Sequence, residues 1–123
     1  MADGVRLSDG QVIPSELVVW SAGVQAPAIL ADIAGLETNR INQLVVRPTL
    51  QTTRDDSIFA IGDCAACPRP GFAQNVPPRA QAAHQQSDFM VKQTGHLLAG
   101  EPMGEFVYHD FGWSMRPSAR YPG

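Results

Sequence analysis

The run Thr53-Arg54-Asp55-Asp56-Ser57-Ile58-Phe59-Ala60-Ile61-Gly62-Asp63 sets a glycine and a carboxylate directly after a short apolar stretch. An unbroken apolar run is the pattern of a parallel strand buried on both faces, and ligands in such sheets bind just past the strand's carboxyl end. Gly62 and Asp63 stand at that end. Gly62, lacking a Cβ, lets the backbone come close to a ligand, and Asp63 can accept hydrogen bonds from sugar-like hydroxyls. Gly-Asp is also ordinary turn chemistry, so the pair takes its meaning from what surrounds it.

Cys64-Ala65-Ala66-Cys67 follows at once. Cysteines at this spacing can form a redox disulfide or supply half of a zinc or copper site. These are the only 2 cysteines of the chain, and His84, His96 and His109 do not stand at metal-ligand spacing from them. The pair is read as reduced thiols beside the Asp63 loop, with no metal. A non-catalytic thiol or metal module built on it is the rival reading from outside enzymology.

The elements that must position these residues can be sketched from pattern. Val5-Arg6-Leu7-Ser8 and Gln11-Val12-Ile13 flank Asp9-Gly10, which predicts a hairpin. Leu17-Val18-Val19-Trp20, ending at Ser21-Ala22-Gly23, predicts a buried strand. Pro27 to Ala34 suits a short helix stopped by Gly35. Leu44-Val45-Val46 and Ile58 to Ile61 are further strand candidates. Residues 64 to 78 carry both cysteines and four prolines, a composition that predicts a loop with no regular element. From about Arg79 to about Leu98 a proline-free, Ala- and Gln-rich stretch between Pro77-Pro78 and Gly100 predicts the longest helix. On it Ala83, Ser87, Met90, Thr94 and Leu97 share one face, Gln81 and Gln85 another, and Asp88 and Lys92 stand in the order of a helical ion pair. Glu105 to His109 is a final strand candidate.

With 123 residues, 44% hydrophobic and 17% charged, at net charge −3, the chain is the size of one domain and offers no electrostatic case for nucleic acid. No apolar run approaches the ~20 residues needed to cross a bilayer, and Met1-Ala2-Asp3-Gly4 has none of the features of a signal peptide. The chain itself is expected to be soluble and cytoplasmic.

Val18-Val19-Trp20-Ser21-Ala22-Gly23, the Thr53 to Asp63 run, Pro77-Pro78-Arg79-Ala80-Gln81-Ala82-Ala83-His84-Gln85 and a long helix occur in that order. This order resembles the two-dinucleotide-binding-domain flavoproteins, and in detail the carboxyl-terminal half of type II NADH dehydrogenase. Ala80-Gln81-Ala82-Ala83-His84-Gln85 is similar to that family's Ala-Gln-x-Ala-x-Gln quinone-site motif. The resemblance runs from about Val5 to about Phe111. It implies an α/β, Rossmann-like FAD/NAD(P)-binding fold of which this chain is a part. Residues 1–23 would end the NAD-binding domain, 24–111 would be the returning part of the FAD domain, and 112–123 an irregular tail.

The resemblance also implies roles. Gly62 and Asp63 would hold the ribityl chain of FAD, and Ala80 and Gln81, at a helix amino terminus with unpaired N–H groups, would face the flavin. Gln81 and Gln85 would border the quinone, and His84 could donate a proton through its imidazole. The intact enzyme would oxidise NADH through FAD and reduce a membrane quinone without pumping protons. It would sit peripherally on the cytoplasmic face of the bacterial inner membrane, with a homodimer as one arrangement. A sulfide:quinone or ferredoxin reductase is the rival within flavoproteins. No Gly-x-Gly-x-x-Gly fingerprint occurs in the chain, so neither nucleotide is expected to be bound by it in full. The piece alone is expected to be inactive, with apolar surfaces exposed.

Overall fold

Three turns in this chain use one pair of main-chain hydrogen bonds, although their sequences share little. In Leu7–Gln11, Asn39–Gln43 and Arg47–Gln51 the first N–H donates to the fifth carbonyl and the fourth N–H to the first carbonyl, at 2.8 to 3.1 Å. Such a loop needs its fourth residue in the left-handed region. Gly10 (φ 89°), Asn42 (φ 60°) and Leu50 (φ 69°) occupy it. A leucine there is unusual, at a cost of roughly 1–2 kcal/mol. Its side chain is fully buried, and burial of a leucine returns about 1.5–3 kcal/mol.

The computed structural model describes residues 4–19 and 23–112. The Leu7–Gln11 turn joins β1 (Gly4–Arg6) to β2 (Val12–Pro14), antiparallel with Val5 opposite Ile13, and Asp9 Oδ1 accepts the Gln11 N–H at 2.9 Å. The expected hairpin is present. The other two turns build a small meander. Single antiparallel bridges link Thr38 to Leu44, Val46 to Thr52 and Gln51 to Phe59, while β3 (Leu44–Val45) pairs in parallel with β4 (Ala65–Ala66). Over these packs α1 (Ala80–Leu98), at the predicted position. Leu44, Val46, Leu50, Ala60, Ala82 and Phe106 are among the residues of the shared core, and Phe89 meets Phe106 edge-on at 5.7 Å.

Several expectations are corrected. Leu17 to Val19 form no strand and are exposed, because a strand exists only by bonding to a neighbour and none lies beside this run among the described residues; Trp20 to Ala22 lie outside them. Pro27 to Ala34 holds only a 3-10 helix, Ala28–Asp32, closed by positive φ at Ala34 and Gly35. Ile58 to Ile61 carries one antiparallel bridge at Phe59 rather than a parallel strand. The parallel strand is β4, inside the segment expected to be all loop, so Gly62-Asp63 precedes that strand. Glu105 to His109 is not a strand either: it joins the body through Phe106 N–H to the Pro48 carbonyl at 2.7 Å and through bonds described below. The helix buries Ala82, Gln86 and Gln93 with Phe89 partly covered, a face rotated from the Ala83-Ser87-Met90-Thr94-Leu97 line, of which Met90 packs on the core. Asp88 lies 3.7 Å from His84 Nε2 and makes no ion pair with Lys92. Val91, Leu98, Phe72 and Phe111 stand in solvent. No helix among the described residues is long and apolar enough to cross a membrane.

Candidate functional site

Gly62–Cys64 forms a single 3-10 turn between the Phe59 bridge and β4. Gly62 has φ 70°, which is its reason for being glycine: a Cβ there would rest at 3.6 Å from Ala83 Cβ, an ordinary contact. Two buried glutamines hold this corner by its main chain. Gln86 Oε1 accepts the Gly62 N–H at 2.6 Å, and Gln43 Nε2 donates to the Asp63 carbonyl at 3.0 Å. With its backbone tied down from two sides, Asp63 leaves its side chain exposed. The result is a fixed carboxylate facing outward.

The corner meets α1 at Ala83 and Gln86, one turn along from Ala80. Pro77-Pro78 cannot continue a helix backward, so the helix starts abruptly. Arg79, the cap residue, gives its carbonyl to the Ala82 and Ala83 N–H groups at 2.9 and 3.1 Å, and no side chain caps the first turn. The N–H groups of Ala80 and Gln81 precede any carbonyl the helix can offer them and carry the positive end of its dipole. Gly62 thus lies against the first two turns of the helix whose uncapped start is Ala80-Gln81. An outward carboxylate can accept hydrogen bonds from hydroxyl groups, and an uncapped helix start can donate to a carbonyl or an anion.

Gln81 and Gln85 point together at the extended segment after Gly104. Gln81 Nε2 donates to the His109 carbonyl at 3.2 Å, Gln85 Nε2 donates to the same carbonyl at 2.8 Å, and Gln85 Oε1 accepts the His109 N–H at 3.0 Å. An open depression of about 330 Å³ lies alongside, bordered by Gln85, Asp88, Phe89, Lys92, Phe106 and His109 among others. His84 is not brought to this group; its side chain is 80% exposed and faces Asp88.

Ala65 and Ala66 are strand residues, so Cys64 and Cys67 lie on opposite faces of the chain, with their Cα atoms roughly 10 Å apart at ~3.3 Å per residue. A disulfide needs Cα atoms within about 7 Å. Cys64 Sγ donates to the Ile61 carbonyl at 3.1 Å. Cys67 is fully buried, and burial pushes its thiol from 9.0 up to about 11, opposed in part by a hydrogen bond with Gln86. The thiol is therefore inert near neutral pH.

Residues 1–87 match the pyridine nucleotide-disulphide oxidoreductase family. The chain belongs to that family. The α/β, Rossmann-like class expected from sequence is the family's own. Among relatives, the chain is 53% identical over 104 residues to a protein of Haemophilus influenzae named type II NADH:quinone oxidoreductase, covering 85% of this chain and 23% of that protein. Proteins of the same name are 35% identical over 110 residues in Staphylococcus saprophyticus (88% of this chain, 27% of that one) and 36% identical over 95 residues in Staphylococcus aureus (76% and 23%). The chain spans about a quarter of the length of these relatives.

Sequence reasoning overlooked the residues that hold this candidate site in shape. Gln86, only 2% exposed, Gln43 and the main chain of His109 were not singled out, because glutamine is ordinarily a surface residue. A signal existed: Ala82, Gln86, Phe89 and Gln93 follow the alternating four-and-three spacing of one helical face, with two amides inside an otherwise apolar stripe.

Proposed function

We propose that this chain is the carboxyl-terminal part of a type II NADH:quinone oxidoreductase, an enzyme that oxidises NADH and reduces quinone with FAD as cofactor. The observation that carries the reading is the Gly62-Asp63 corner held against the first two turns of α1, in a chain 53% identical to a protein of that name. Asp63 would bind ribityl hydroxyls, with Gly62 allowing their approach, and the Ala80 and Gln81 N–H groups would face the flavin carbonyls. FAD supplies the electron relay between the two substrates, while the chain's own residues bind and orient. Gln81 and Gln85 would border the quinone, whose carbonyl oxygens accept hydrogen bonds from side-chain amides; His84 would serve at most as a proton source from solvent.

In this reading residues up to Gly23 close the NAD-binding domain and the following ones return to the FAD domain. The exposed Leu17, Val91, Leu98 and Phe111 are surfaces for the remainder of the protein, for a second copy or for lipid. A lipid-borne quinone puts the enzyme peripherally on the cytoplasmic face of the bacterial inner membrane, and a peripheral enzyme has no path through the bilayer along which to pump protons. The separation of Cys64 and Cys67 weighs against the thiol or metal module.

The test uses the intact protein that contains this chain. Purified protein is expected to carry flavin and to oxidise NADH with a soluble quinone, and Asp63→Ala is expected to lose most of its flavin. Absence of flavin in the wild type, even after reconstitution with FAD, would sink the proposal.

A further inference from the structure

The pair of glutamines offered to the quinone does not make equivalent contacts. Gln85 engages His109 through both ends of its amide, donating to the carbonyl and accepting from the N–H, as a neighbouring strand would. Gln81 gives a single N–H to the same carbonyl, and its Oε1 accepts no bond among the described residues. The two-point exchange fixes the plane of the Gln85 amide, whereas Gln81 can turn about its last torsion after losing one long bond.

The segment that Gln85 holds is anchored in the core by Phe106 and Tyr108, but its main chain has few other partners. Gly104 donates to Gln93 Oε1 at 2.6 Å and Phe106 to the Pro48 carbonyl at 2.7 Å. Beyond Phe106, the only main-chain hydrogen bonds that the described residues make to another element are those from His109 to Gln81 and Gln85. Arg79 approaches Asp110 only at 3.7 Å. Phe106 and His109 border the depression beside α1, so a clasp at His109 sets where that wall stands.

We infer that Gln85 is a positioning residue that fixes the Phe106–Asp110 wall of the site through the main chain of His109, and that Gln81 is the glutamine left free to contact a quinone carbonyl. The division of roles rests on the function proposed above; the clasp itself does not. The His109 side chain takes no part in it, and stacks on Phe111 at 6.5 Å.

The experiment measures, on the intact protein, hydrogen exchange of the peptide spanning 106–110 and steady-state kinetics with a soluble quinone. Gln85→Met is expected to speed exchange about tenfold, the loss of two weak surface hydrogen bonds, and to raise the KM for quinone with flavin content and the KM for NADH unchanged. Gln81→Met is expected to raise the quinone KM and leave exchange within about twofold. His109→Ala, which keeps the main chain, should leave exchange within about twofold. If Gln85→Met misfolds, Gln85→Glu keeps the acceptor for the His109 N–H, loses the donor to its carbonyl, and should exchange at an intermediate rate. Unchanged exchange in the Gln85 variant together with a raised quinone KM would make Gln85 a direct ligand and overturn the inference, as would a His109→Ala variant that speeds exchange as much. A wild type that reduces no quinone would end the functional reading, while the exchange result would still decide the clasp.

Discussion

The helix α1 carries two kinds of glutamine, and the contrast between them separates scaffold from site. Gln86 and Gln93 lie on the inner face, 2% and 8% exposed, and each spends its carbonyl on a glycine N–H at 2.6 Å, Gly62 for one and Gly104 for the other. Gln81 and Gln85, on the flank, reach the main chain of His109 at the surface and keep donors in reserve. A buried amide cannot give up its partner without stranding its own polar atoms, which costs about 1–3 kcal/mol. A flank amide can exchange its partner for water or a ligand at little cost. Inner glutamines therefore hold the loops that bear the site, and flank glutamines remain available to it.

Breaking the inner pair should have the largest effect. Gln86→Leu leaves the Gly62 N–H without an acceptor and takes a hydrogen bond from Cys67; a loss of about 3 kcal/mol is expected by denaturant titration. In the intact protein the Asp63 corner should loosen with it and flavin retention fall. The buried thiol beside Gln86 gives the next effect. Its pKa is raised from 9.0 to about 11 on folding, so the thiol is protonated in both states below pH 9 and its contribution is complete there. As pH climbs from 9.0 through about 11 the unfolded chain releases the proton first, and stability falls. A pH series of melts should show that decline, worth about 2 kcal/mol, and Cys67→Ala should flatten it. Gln93→Leu should cost less, about 1 kcal/mol, because water can still reach the Gly104 N–H; the same titration checks it. On the flank the effects pass from stability to function. Gln81→Met should shift stability by less than about 0.5 kcal/mol while raising the quinone KM. His84→Ala should do least, changing turnover by less than about twofold across a pH profile from 6 to 8; a larger effect would restore His84 as proton donor.

How much of this was legible in the sequence depends on how local each cause is. Asp9-Gly10 makes its own turn, with the Asp9 carboxylate bonding the Gln11 N–H and Gly10 taking the positive φ, so the hairpin could be read directly. The helix has its stop signals on either side, Pro77-Pro78 and Gly100, and its bounds were foreseen closely. Apolar runs were poorer guides. Leu17 to Val19 and Ile58 to Ile61 look alike as text, but the first lies exposed and the second is partly covered with one bridge, since a run of residues cannot state which neighbour it will bond. For the candidate site, Gly62, Asp63, Ala80 and Gln81 were named from their motifs alone, and the structure sets Gly62 against Ala83 and Gln86 of that helix.

By itself, the sequence determined the punctuation of this protein and its family motifs. Glycine, proline and Asx residues act on their own backbone, and their effect survives any context. Only the tertiary structure decided that Leu50 would take a left-handed turn position and be buried there, that Gln86 and Gln43 would hold the Asp63 corner, that the two cysteines would face apart, and that Gln85 would clasp His109. Each of these balances a local cost, strain or a buried amide, against a partner as many as 24 residues away, and that partner exists only once the chain has folded.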